Sequence, residues 1–138
     1  MRFLSIYKTA ETGAPPTPEH MAEMGKLIEE MTKAGVLLAT EGCLPSALGA
    51  RVRRSGEKLT VTDGPFAEAK EVIGGFALLQ AKSKEEAIEL TKRFLKVAGD
   101  GECEVRQVFD PSAAGAEFTS DRACTEHEHL HAQIAGKV

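Results

Sequence analysis

The stretch 62–71, Thr-Asp-Gly-Pro-Phe-Ala-Glu-Ala-Lys-Glu, crowds the carboxylates of Asp63, Glu68 and Glu71 around the amine of Lys70. Two carboxylates sharing a poorly solvated pocket cannot both ionise easily, so one keeps its proton and can act as general acid or base. Asp63 is the first candidate for that role. It can equally organise the loop, because an aspartate that ends a strand accepts hydrogen bonds from the backbone amides after it. Glu68 and Glu71 would assist. Lys70 offers positive charge to an anionic ligand, as does Arg51, which stands one strand step from Arg53 on the same face and could form a clamp with it. Phe66 adds an apolar contact. A structural reading of the same residues is complete in itself: solvated charges or intersubunit ion pairs, on a crossover anchored by Phe66. Gly64 is expected to supply a backbone angle that other residues resist, Pro65 to stiffen the turn, and residues 67–71 to make one helical turn.

Other chemistry has less support. No glycine-rich phosphate loop or nucleophile elbow occurs. Cys124, His127 and His131 would share one helical face and are ligand types that transition metals prefer. Gly115, Ser120 and Gly136 break the helical pattern, however, and Glu126, Glu128 and His129 make the stretch polar all round. A loosely held chain end is therefore expected, with no metal and no cofactor. Cys43 and Cys103 fall in apolar segments and read as small buried hydrophobes. The spacing C-x-x-C is absent and the start of the chain resembles no secretion signal, so free thiols in a cytoplasmic setting are expected.

These residues must be positioned by regular elements. Residues 2–8 alternate as a strand, and Thr17-Pro18 is an N-cap followed by a proline at the first helical position. Met21, Met24, Leu27, Ile28, Met31 and Ala34 then recur at helical spacing until Gly35 stops them. Residues 36–39 read as a second strand. Residues 50–54 and 58–62 flank Ser55-Gly56-Glu57 as a hairpin, and residues 72–82 form another strand. Ser83 with Glu86 makes a capping box that opens a second helix. That helix runs to Gly99-Asp100-Gly101, and residues 103–109 make the last strand. In Gly74-Gly75 the missing side chains let another backbone or a ligand approach closely.

This order predicts an α+β fold: a ferredoxin-like split βαβ layer with an inserted β-hairpin. Two helices cover one face of such a sheet. Leu4 and Ile6 nevertheless point opposite to Phe3 and Tyr7, and Phe76 and Leu78 opposite to Ala77 and Leu79. A sheet apolar on both faces needs a second cover, so a homodimer with sheets face to face is expected. The alternative cover is the chain's own C-terminal tail.

The 138 residues fit one domain, 1–110, with an extension over 111–138. With 42% hydrophobic and 28% charged residues the chain is neither disordered nor fibrous. No apolar run suits a membrane span. The balance of 17 basic to 21 acidic residues, and the lack of a recognition motif, argue against direct nucleic-acid binding despite the local cluster Arg51-Arg53-Arg54.

The string from Thr62 to Phe76 closely resembles the signature of the DGPF branch of the YCII-related superfamily, with Ala69 where that branch usually has threonine. Ala34-Gly35-Val36-Leu37 ahead of Glu41-Gly42 and Leu44-Pro45, and Glu104-Val105-Arg106 near the end, also resemble the family pattern. The resemblance implies a dimeric α+β barrel but no particular reaction. It also implies a possible link to sigma-factor pathways, and other branches are proposed to use a His–Asp pair. Here Asp63 is present but His20 is the one histidine before residue 127, so that pair is not carried over. Two functions follow. One is binding or transformation of a small molecule in a cleft at the dimer interface; the other is a regulatory module of sigma-factor-dependent transcription without catalysis.

Overall fold

A computed structural model describes residues 1–111, within which Met1–Val108 form one compact unit. Its elements are β1 (Arg2–Thr9), α1 (Pro18–Lys33), β2 (Leu37–Gly42), β3 (Ala50–Ser55), β4 (Lys58–Asp63), β5 (Val72–Gln80), α2 (Lys84–Ala98) and β6 (Glu102–Gln107), with a 3-10 turn at Ser46–Leu48. The main sheet has the order β2-β5-β1-β6, and every neighbouring pair is antiparallel. This is the expected split βαβ order. β3 and β4 pair only with each other, as the inserted hairpin.

The helices start where their caps place them. The Thr17 hydroxyl accepts the His20 N–H at 3.1 Å, and that of Ser83 accepts the Glu86 N–H at 3.2 Å. Each such cap stabilises its helix by about 1 kcal/mol. Inward-facing Leu27, Met31, Ala87 and Leu90 bury against Phe3, Leu37 and Leu79 of the sheet. Each fully buried large side chain contributes roughly 1.5–3 kcal/mol, so the core lies wholly between the helices and one sheet face.

The opposite face carries Leu4, Ile6, Phe76 and Leu78, in the cross-strand pairs Leu4–Leu78 and Ile6–Phe76. No helix among the described residues covers it, and Phe76 is 39% exposed. The expectation of a sheet apolar on both faces therefore holds. No helix among the described residues is long and apolar enough to cross a membrane.

Three local expectations need correction. The second strand begins at Leu37 and runs to Gly42, not over 36–39, because Thr40, Glu41 and Gly42 continue its pairing with β5. Cys43 is exposed and not buried: it is the first residue past β2, its N–H still bonded to the Gly74 carbonyl while its side chain leaves the sheet. Cys103 is half-buried, and burial pushes its thiol pKa up. The tail residues Cys124, His127 and His131 lie outside the described residues.

Candidate functional site

The motif loop is built around a serine upstream of it. Ser46 opens the 3-10 turn, donates its N–H and hydroxyl to the two oxygens of Glu11 at 2.6 and 2.7 Å, and accepts the Phe66 N–H at 3.2 Å. Glu11 is held below the usual carboxylate range, first by the Ser46 N–H and then by its hydroxyl. Gly64 donates to the Gly49 carbonyl at 2.9 Å. Glycine is required there for room, not for an unusual angle: a Cβ would lie 1.6 Å from the Ser46 carbonyl oxygen, and the φ of Gly64 is not positive. Asp63 does not organise the loop as expected, since its carboxylate has no hydrogen-bond partner among the described residues. The expected helical turn over residues 67–71 is replaced by a single turn over 66–69, closed by the Ala69 N–H on the Phe66 carbonyl.

Arg51 stacks over the Phe66 ring, 3.9 Å from its centroid, and pairs with the Glu68 carboxylate. The clamp with Arg53 is thus replaced by a cation already engaged. Glu68 is lowered by its own backbone N–H and then by Arg51, the opposite of a carboxylate that keeps its proton. Asp63, Glu68, Lys70 and Glu71 are all exposed, so the poorly solvated carboxylate pocket does not form among them.

Two cavities flank this region. A crevice of about 740 Å³ lies between the motif loop and the end of the sheet; Arg51, Phe66 and Glu71 line it together with Lys8, Cys43 and the exposed Ile73. Asp63, Glu68 and Lys70 are not on its wall. The other cavity, of about 570 Å³, lies between the two helices and the sheet. Its wall is mostly apolar, with Met24, Ile28, Met31, Leu79, Leu90 and Phe94 prominent. Tyr7 packs edge-on against Phe94 with ring centroids 5.2 Å apart, and its hydroxyl is committed to the Asp100 carbonyl at 2.8 Å. Thr40 is likewise committed to the Phe76 carbonyl at 2.9 Å. His20 also lines this cavity, and its side chain has no hydrogen-bond or ion-pair partner among the described residues. Glu41 borders the cavity too, but it is exposed and paired in register with Phe76, so its side chain shares the face of Phe76.

A family model, the YCII-related domain, matches residues 1–112. The chain belongs to the YCII-related domain family. An uncharacterized protein of Rhizobium meliloti (strain 1021) is 32% identical over 72 residues, which cover 52% of this chain and 58% of that relative's length. Among solved structures, 5-chloro-2-hydroxyhydroquinone dehydrochlorinase from Burkholderia phenoliruptrix AC1100, in complex with 2,5-dihydroxybenzoquinone, is 16% identical. That match covers 79% of this chain and 94% of the other, with a TM-score of 0.49.

In this YCII-related domain, residue spacing alone did not reveal His20 and Glu41 as neighbours of one cavity. His20 follows the helix cap and reads as a first-turn residue, and Glu41 falls beyond the strand read over residues 36–39. Helix α1 brings His20 to the cavity, and pairing between β2 and β5 brings the Glu41 backbone to its edge. A Cβ on Gly75 would lie 2.7 Å from the Glu41 carbonyl oxygen, so a glycine there lets β2 run close. The close approach read from Gly74-Gly75 is therefore that of another backbone.

Proposed function

We propose that this YCII-related protein binds a small, largely apolar molecule in the cavity between helices and sheet, and transforms it by moving a proton with His20. One observation carries the reading. An apolar chamber within the size range of small-molecule sites is bordered by His20, an ionisable residue whose side chain no described residue engages. An imidazole there can accept a proton from a bound molecule and return it.

The crevice beside the motif loop supports a second reading, favoured by Lys8, Arg51 and Glu71 gathered on one wall. There Glu71 would supply an acid–base group, and Lys8, Arg51 and Phe66 would hold an anionic ligand, with Asp63, Glu68 and Lys70 outside the wall. Both readings place a DGPF-branch domain over residues 1–110, followed by an extension. Both take the working form as a homodimer joined through the uncovered sheet face, with the crevice at its edge.

Methionine methyl resonances separate the two. Of the four methionines, Met21, Met24 and Met31 line the helix-side cavity and Met1 does not. Titration of methyl-labelled protein with anilinonaphthalene sulfonate should shift the lining methionines and leave Met1 in place. Shifts of Met1 alone, or none at all, overturn the first reading. Binding that leaves the lining methyls unmoved and disappears in Arg51→Ala moves the site to the crevice.

A further inference from the structure

Gly25 is out of place in α1. It stands four residues after Met21 and three before Ile28, at the margin of the inward stripe. Its φ is not positive, so no special backbone angle calls for glycine. A Cβ built on it meets nothing within 4 Å, so close packing does not call for one either. Glycine is also among the poorest helix formers. What Gly25 does border is the apolar cavity, and it is itself exposed to solvent. At this point the α1 edge of the cavity wall carries no side chain, and a side chain placed there would meet open space.

We infer that Gly25 is a specificity-determining residue: the absent side chain keeps a portal in α1 that admits ligands larger than a single ring. The inference rests on the cavity reading above. An apolar cavity of about 150 Å³ already holds benzene, and this one measures about 570 Å³. Its volume thus has room for a second ring, and the open helix wall is where such a ligand would enter or extend. A leucine at this position, in a helical rotamer, would lie over the preceding turn towards Met21 and narrow the opening.

The test compares Gly25→Leu and Gly25→Ala with the unchanged chain, using anilinonaphthalene sulfonate as the larger probe and phenol as the smaller. Gly25→Leu should lower affinity for the larger probe by about tenfold or more, leave that for phenol within about threefold, and not lower the melting temperature. Gly25→Ala should stay close to the unchanged chain with both probes. If Gly25→Leu binds the larger probe unchanged while the lining methionines still shift, the portal is disproved and the cavity reading survives. If the unchanged chain shifts none of those methionines, the cavity reading itself fails. If Gly25→Leu melts lower and loses both probes, glycine is kept for packing and the portal is again disproved.

Discussion

The Glu11 carboxylate joins three segments distant in sequence: the loop after β1, the 3-10 turn through Ser46, and the motif loop through Phe66. Its pKa is lowered in the folded state, so it binds fewer protons there than in the unfolded chain near the transition. The stability it contributes is therefore complete above the unfolded carboxylate range, about 4.3, and is lost as pH falls through its lowered folded value. Glu11→Gln should separate from the unchanged chain in denaturant midpoint at neutral pH, and the two should converge in acid. Exchange of the Phe66 amide should speed up in Ser46→Ala, which removes that amide's acceptor. Equal midpoints at neutral pH would show that these bonds merely replace bonds to water. None of this could be read from the chain, because Glu11, Ser46 and Phe66 are linked by tertiary contact and no local pattern pairs them. Asp63 was assigned the organising role because a turn rule sees only the next few residues.

At the scale of elements, what was legible was what is local. Thr17-Pro18, Gly35 and Ser83 set helix ends through bonds within one turn. Alternation in β1 and β5 fixed which side chains share a face, because side-chain direction has a period of two. The strand end after β2 was missed since its last residues are specified by β5, not by their own propensity. The hairpin was foreseen, yet its attachment was not: Gly64 and Gly49 clip its open end to the turn that holds Ser46. Gly64→Ala drives a methyl into a backbone oxygen that cannot move without displacing the whole 3-10 turn. Overpacking of this kind costs about 1–3 kcal/mol, and the loss should appear in chemical denaturation with loosened exchange across residues 46–66. A stability unchanged within error would mean that the loop shifts freely, and that its link to the sheet end constrains neither cavity.

For the whole molecule the unsettled surface is apolar and lies in two places. One is the uncovered sheet face with Leu4, Ile6, Leu78 and Phe76. The other is the hairpin, where paired Val52 and Val61 share a face with Leu59 and are 70%, 66% and 67% exposed. A lone two-stranded hairpin is marginal in water, and an open apolar sheet is a surface that another chain would cover. The hairpin is also basic, carrying Arg51, Arg53, Arg54 and Lys58 against Glu57 and Asp63, while the chain as a whole is acidic. A second copy therefore answers both needs: apolar face for apolar face, with a basic arm beside an acidic body. The protein should sediment at twice 14.8 kDa at micromolar concentration. Its melting temperature should rise with concentration, because mass action links association to stability. Phe76→Lys puts an unpaired charge in the middle of that contact and should yield monomers whose far-ultraviolet circular dichroism is unchanged. A Phe76→Lys protein that remains dimeric would move the interface off the sheet. An unchanged chain that sediments as a monomer would leave the apolar face to some other cover and remove the shared crevice from any account of its chemistry.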